Sequence, residues 1–387
     1  MVVLLLSFSC FDLPFDKPHS NTRICCVSGT KIDTGEHTQI INQMKRTILA
    51  LAFMATLAAC KKNPEEIPNP VPEEKLSPDI AYTVKGATQD TQSLYPPSAT
   101  FNFLGFGYDV TDKFNDLASV RGNVVDISAY DADRTYNVVF IRGTQSSWRT
   151  TLAESAVDLS TKFSNSYNAT KGLKLFGNTI NQVFPGTDAT NKKYVYGHYS
   201  YYITWKVYKF YYDQSVNKFL TADFKRDITL LSAQELVSKY GTHVLTNIKI
   251  GSKFDVVYQA EAPQNERREA IIMEGLRYTL KRTFGLPTGY LDEPILRNLN
   301  DNTSAQIYYS STGGDISKLK PETINNRVIV NLNNWVASTT EDKATFIGAS
   351  DDGLTPLYNF IDDAAKKAEV KAYLDQYYAA KVVKLTN

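Results

Sequence analysis

Few side chains in this sequence are of the kinds that most often carry out chemistry, and their positions narrow what they could do. The chain has 4 cysteines and 4 histidines in 387 residues. Cys10, Cys25, Cys26, His19 and His37 all precede Met44, so only Cys60, His198 and His243 follow it. A zinc site needs three or four His, Cys or carboxylate ligands, and a Ser-His-Asp triad needs a free histidine, so neither is well supported. A glycosidase needs only two carboxylates, which 41 acidic residues could supply, yet no pair of acids stands out. The expectation is a non-enzyme with no cofactor and no metal, and a net charge of +1 gives no reason to expect nucleic-acid binding.

Cys60 has a clear chemical context. Met44, Lys45 and Arg46 begin a basic stretch, residues 48–57 are apolar, and Leu57, Ala58, Ala59 and Cys60 make a lipobox, so residues 44–59 read as a lipoprotein signal peptide. Cleavage before Cys60 and acylation of its thiol would anchor the chain by lipid, with an outer-membrane, surface-exposed and releasable location as the expectation. Residues 1–43 then lie upstream of the mature protein; the run Val2 to Leu6 is too short for a signal core. Residues 60–79 carry Pro64, Pro68, Pro70, Pro72 and Pro78 with Glu65, Glu66, Glu73 and Glu74, an extended and solvated tether. No segment after Cys60 has the ~20 continuous apolar residues of a membrane helix, so any crossing would be made by β-strands.

Residues 80–362 read as one folded domain, followed by residues 363–387 as a C-terminal helix and tail. Strand-like runs occupy 124–130 and 136–142. Residues 146–193 turn polar and helix-compatible, with Leu152, Ala156, Leu159 and Phe163 at spacings of four, three and four. Aromatics dominate 194–212, which reads as a strand. It is either an exposed glycan-binding platform or a core strand packed on both faces, the second being favoured. Leu230, Leu231, Leu236 and Val237 form a short amphipathic helix, N-capped by Ser232 and stopped at Gly241. The run 244–258 alternates Ile248, Ile250, Phe254, Val256 and Tyr258 on one face, a strand spanning roughly 50 Å, with a bend or close backbone approach expected at Gly251. Residues 261–302 fit two states: Ile272, Leu276, Leu280 and Phe284 recur every four residues, while Leu276, Tyr278 and Leu280 alternate with Arg277, Thr279 and Lys281. Further strands are expected at 305–310 and 326–332, and a helix at 363–380.

Tyr240, Gly241, Thr242 and His243, followed eight residues later by Gly251, resemble the signature of the MACPF/perforin-like family, an aromatic residue before Gly-Thr-His and then a glycine pair; Ser252 replaces the second glycine. Gly105, Gly107, Tyr108, Asp109 and Thr111 resemble the family's opening motif. Gly313, Gly314 and Asp315 resemble the Gly-Gly-Asp after the last core strand, Trp335 and Ser338 the Trp-x-x-Ser segment, and Pro356, Leu357 and Tyr358 the closing Pro-Leu-Tyr. With the lipobox, the resemblance is to lipoprotein members from Bacteroidetes. It implies an α+β fold, a bent antiparallel four-stranded sheet flanked by two helical clusters that can unfurl into membrane hairpins. It also implies a homo-oligomeric pore former acting on target membrane lipids and a surface receptor or glycan, as an antibacterial toxin, with non-lytic adhesion or glycan binding as the alternative. The signature residues would serve as hinge and packing residues and not as catalysts.

Overall fold

The computed structural model describes residues 80–89, 91–133, 137–184, 187–286 and 298–386, which lie in the compact unit 73–387. The upstream segment, the signal peptide and the whole tether with Cys60 lie outside the described residues. The strands are β1 (Tyr82–Gly86), β2 (Phe106–Tyr108), β3 (Val120–Asn123), β4 (Val139–Ala153), β5 (Tyr194–Lys209), β6 (His243–Leu245), β7 (Asn247–Glu261), β8 (Thr303–Thr312), β9 (Pro321–Ile324), β10 (Arg327–Val330), β11 (Thr345–Ala349) and β12 (Leu354–Pro356). The helices are α1 (Ile127–Asp133), α2 (Ala156–Ser164), α3 (Asn178–Asn181), α4 (Ala222–Leu230), α5 (Ala233–Tyr240), α6 (Arg268–Phe284), α7 (Leu332–Val336) and α8 (Ala364–Lys381).

The main sheet runs β1-β8-β7-β5-β4, with β11 also on β7. Strands β8, β7, β5 and β4 are antiparallel, and β1 joins β8 in parallel. A line of broken register crosses the sheet, between Arg142 and Gln145 in β4 and between Thr204 and Lys206 in β5, opposite Ile250 and Gly251 of β7. There β7 changes partner: Ile248 to Gly251 pair with β11, and Lys253 onward pairs with β8. Extra residues on one strand of a pair bend and twist it, so this line is the bend of the sheet. On the face that carries Ile248 and Ile250 the core changes at this line, while beyond it the opposite face, with Tyr196 and Val257, stays in the first core. Ile248 and Ile250 pack with Phe103, Phe106 and Phe346, whereas Phe254, Val256 and Tyr258 pack beneath Leu276, Leu280 and Phe284 of α6. A second sheet, β12-β6-β2-β3, and the hairpin β9–β10 complete the strands among the described residues.

Three expected elements need correction. The run 124–130 is not a strand: Asp126 Oδ1 accepts from Ala129 N at 3.0 Å, and this capping bond starts α1, while Val124 N and Val125 N donate to Gly105 O. Residues 146–153 do not begin the first helical cluster but continue β4, paired with β5 as far as Ala153↔Tyr196. The stretch is polar because β4 is the edge strand, and most of it is exposed. The long strand expected over 244–258 is also interrupted, with β6 and β7 belonging to different sheets. By contrast, Tyr194, Tyr196, Tyr199, Tyr208 and Phe210 are buried, which makes 194–212 a core strand with Tyr211 exposed at its end.

Candidate functional site

The signature begins at a helix end the sequence specifies closely. Ser232 Oγ accepts from Glu235 N, and the Glu235 carboxylate accepts from Ser232 N at 2.8 Å, a reciprocal cap that fixes the start of α5. At the other end Gly241 takes φ 73° and ψ −162°, a conformation essentially confined to glycine. A Cβ there would lie 2.7 Å from the Tyr108 carbonyl carbon and oxygen. Thr242 Oγ1 donates to Tyr108 O at 3.1 Å and accepts from Val110 N at 3.1 Å. His243 Nδ1 lies 3.0 Å from the same oxygen, within hydrogen-bond distance. Burial alone pushes the His243 pKa down to about 3. The ring is therefore a neutral packing group and not a proton shuttle.

The opening and closing motifs meet this corner. Gly107 pairs with Val244, and a Cβ on Gly107 would sit 1.9 Å from Tyr240 O. Gly105 N donates to Leu245 O at 2.9 Å. Pro356 stands opposite His243 in the β12–β6 ladder, and Leu357 N donates to Thr242 O at 3.0 Å. Tyr108 is fully buried, its hydroxyl donating to Lys113 O at 3.0 Å. Asp109 accepts from Thr111 N and Oγ1 on Oδ1, and from the Tyr377 hydroxyl of α8 on Oδ2 at 3.0 Å, so it fastens the C-terminal helix. Tyr240 donates to Asp227 Oδ2 at 2.8 Å, a partner in α4 that the signature does not include.

Gly251 lies at the bend with the other motif group. A Cβ on it would be 2.0 Å from Ile203 O in β5, so only glycine permits this strand approach. Behind it, Gly313 and Gly314 both have positive φ, and a Cβ on Gly313 would lie 2.9 Å from Ser252 Oγ and 3.0 Å from Gly251 O. Trp335 Nε1 donates to Gly313 O at 3.3 Å, and Asp315 N donates to Ser338 Oγ at 2.9 Å, which docks the Trp-x-x-Ser segment onto the Gly-Gly-Asp turn. Ser252 Oγ is buried with no hydrogen-bond partner among the described residues.

A charged group that sequence patterning passed over fastens the bend. Lys253 is 1% exposed; its Nζ lies 2.6 Å from Asp255 Oδ2 and donates to Asn115 O at 2.6 Å. Burial opposes its charge, but Asp255, Tyr202 and Asp116 more than offset this and raise the pKa, so it stays an ammonium. Asn115, at φ 51°, accepts from Ala349 N at 3.0 Å and from the Tyr167 hydroxyl, linking the 109–119 loop to β11 and the first cluster. The one available signal is a lysine inside a buried strand. His198 is close by: its Nε2 lies 3.8 Å from Asp255 Oδ1, its Nδ1 has no hydrogen-bond partner among the described residues, and its ring meets Phe163 of α2 edge-on at 5.1 Å.

The two helical clusters flank the sheet where its ladders stop. α2 follows β4 with Ser155 as N-cap, and Leu159 and Phe163 are buried. α6 follows β7, presents Ile271, Ile272, Leu276, Leu280 and Phe284 to the core, and ends at Gly285 in the left-handed conformation. The segment 261–302 therefore takes its helical alternative here, with 287–297 outside the described residues. No described helix is long and apolar enough to cross a membrane, and no group of three or more His, Cys, Asp or Glu among the described residues could hold a metal.

These features define a protein built on a bent antiparallel sheet, with a helical cluster inserted after each of two strands and glycine-bearing turns gathered at the bend and its adjoining corner. The MAC/Perforin domain family matches residues 97–384, and the chain belongs to it. Among solved structures it is similar to GNIP1Aa from Chromobacterium piscinae, at 16% identity and a TM-score of 0.57 over 76% of this chain and 58% of that one. It is equally similar to a MAC/Perforin-domain protein from Bacteroides thetaiotaomicron, at 18% identity and a TM-score of 0.57 over 75% of this chain and 64% of that one. At these identities the likeness is one of fold, and the chain spans less than two thirds of either protein. Among curated proteins none matches the chain.

Proposed function

We propose that this protein is a pore former that assembles into a ring on a target membrane and inserts β-hairpins made from its two helical clusters. The observation that carries this reading is where the ladders end. β4 and β5 pair up to Ala153↔Tyr196, and residues 154–193 fill the gap between them; β7 and β8 pair up to Glu261↔Thr303, and residues 262–302 fill theirs. Each insert has about forty residues, enough for two strands of about ten residues to cross a bilayer with turns to spare. Extending the existing ladders requires no new register, and a closed ring leaves no unpaired edge in lipid, so insertion follows assembly. The buried, neutral His243 and the close-packed glycines support a hinge role for the signature rather than a catalytic one. Anchoring through Cys60 at the outer membrane, attack on bacteria and recognition of a surface receptor or glycan belong to the same reading.

The test uses dye-loaded vesicles made with outer-membrane lipids and protein whose native cysteines are replaced by serine. A Cβ on Gly197 would sit 3.3 Å from the Leu276 Cβ, slightly shorter than the usual disulfide spacing of about 3.5–4.5 Å, so Gly197→Cys with Leu276→Cys can lock α6 to β5 after a small outward shift. Release that appears only after reduction supports the reading; equal release by the oxidised, locked protein refutes it. Binding without release in either state favours non-lytic adhesion.

A further inference from the structure

Arg268, the first residue of α6, is 5% exposed and joins the ends of three strands. Its Nη1 donates to Ala262 O at 3.0 Å and to Pro263 O at 3.1 Å, just past the end of β7. Its Nη2 donates to Glu154 O at 2.8 Å, just past β4, and to Lys192 O and Tyr194 O, both at 3.0 Å, at the start of β5. Every one of these acceptors is a neutral main-chain carbonyl. Gln264 Nε2 adds a second bond to Lys192 O. A cation on the first residue of a helix is opposed by the helix dipole, so the placement does not serve α6 itself. It serves the joint, because Glu154 and Lys192 bracket the first cluster and Ala262 and Pro263 open the second.

We infer that Arg268 is a latch that couples the release of the two helical clusters. A carbonyl aimed at the guanidinium beyond the ladder end is not aimed at the next position of a growing strand. While Arg268 holds all five, neither β4 and β5 nor β7 can lengthen; when it withdraws, the ends of both inserts come free together. Its use in insertion rests on the pore-forming reading, but the coupling is a property of the protein in solution and is tested there.

Amide hydrogen exchange on the full-length chain without membranes reads the coupling. Arg268→Lys keeps the charge but loses the planar fork, and a point ammonium cannot span acceptors on three strands. It should speed exchange about tenfold or more in both α2 and α6, the loss of at least one charge-assisted hydrogen bond, and leave the centres of β5 and β7 unchanged. Leu276→Ala, which loosens α6 without touching the latch, should speed α6 alone. Faster exchange in α6 only, or in neither helix, with Arg268→Lys overturns the latch. Should that variant not fold, Gln264→Ala tests the same coupling, with a smaller acceleration expected in both helices and acceleration of neither counting against it. Coupled exchange in a protein that never releases dye would refute the pore reading and leave the latch standing. In a protein that does release dye, Arg268→Lys should shorten the lag before release, and an unchanged lag overturns the latch.

Discussion

A His198→Phe substitution should remove a defined part of this protein's acid sensitivity. His198 is 4% exposed, with its ring edge-on to Phe163 at 5.1 Å and to Phe114 at 6.3 Å. Burial is the main cause of its depressed pKa, about 4 against an ordinary 6.5; Asp255 opposes the shift, and Lys253 and Arg149 add to it. Because the folded state resists protonation and the unfolded chain does not, the unfolded chain binds more protons between those two values, and stability falls as the pH drops through that window. Linkage puts the loss at about 2 kcal/mol between about pH 7.5 and about pH 5, a sizeable part of an ordinary domain's 5–15 kcal/mol. His243, with its pKa held near 3, adds a similar amount. Phenylalanine can occupy the aromatic site and cannot take up a proton. Urea unfolding at the two pH values should show the wild-type loss shrinking by about 2 kcal/mol in His198→Phe, whereas both proteins should titrate alike below about pH 4. If the variant loses as much stability between the two pH values as wild type, His198 is not the buried, neutral group described here.

Two further substitutions probe the bend. Gly251→Val would force a side chain into the Ile203 carbonyl, where a Cβ alone has 2.0 Å, and should cost about 1–3 kcal/mol by overpacking, read as a lowered urea midpoint; an unchanged midpoint would mean the strands do not approach so closely. Lys253→Met leaves the Asp255 carboxylate at the bend without its cation and should cost about 3–5 kcal/mol, while adding Asp255→Leu should restore much of this; a double variant no better than the single would show that the pair does not act as a unit.

Local sequence was enough where an element's cause is local. The Ser232–Glu235 cap and Gly241 bound α5, the apolar run of β7 makes it a buried strand, and the aromatics of 194–212 fill both sides of β5. The order of motifs along the chain likewise carried the family. Local pattern misled where the deciding partner is distant. The Ser- and Thr-rich half of β4 has no apolar alternation because its outer edge faces solvent, and it is a strand only because β5 pairs with it. The valines at 124 and 125 do not extend a strand because Gly105 accepts their amides, Val125 makes only an isolated bridge to Leu220, and Asp126 caps a helix after them.

What the sequence determined by itself is the set of parts: helices with their caps, glycines where no Cβ fits, and two inserts, one helix-compatible and one of ambiguous period. Tertiary structure decided how those parts meet. Tyr108 and Thr242 are 134 positions apart in sequence yet share a hydrogen bond, and Arg268 reaches Glu154 across 114. Such contacts leave no periodic trace in the chain, because hydrogen bonds between distant segments depend on where the sheet bends and which strand ends it brings together. The choice of helix over strand in 268–284 is of the same kind, since the segment's pattern allows both and the packing of Leu276 against Gly197 and the sheet selects one.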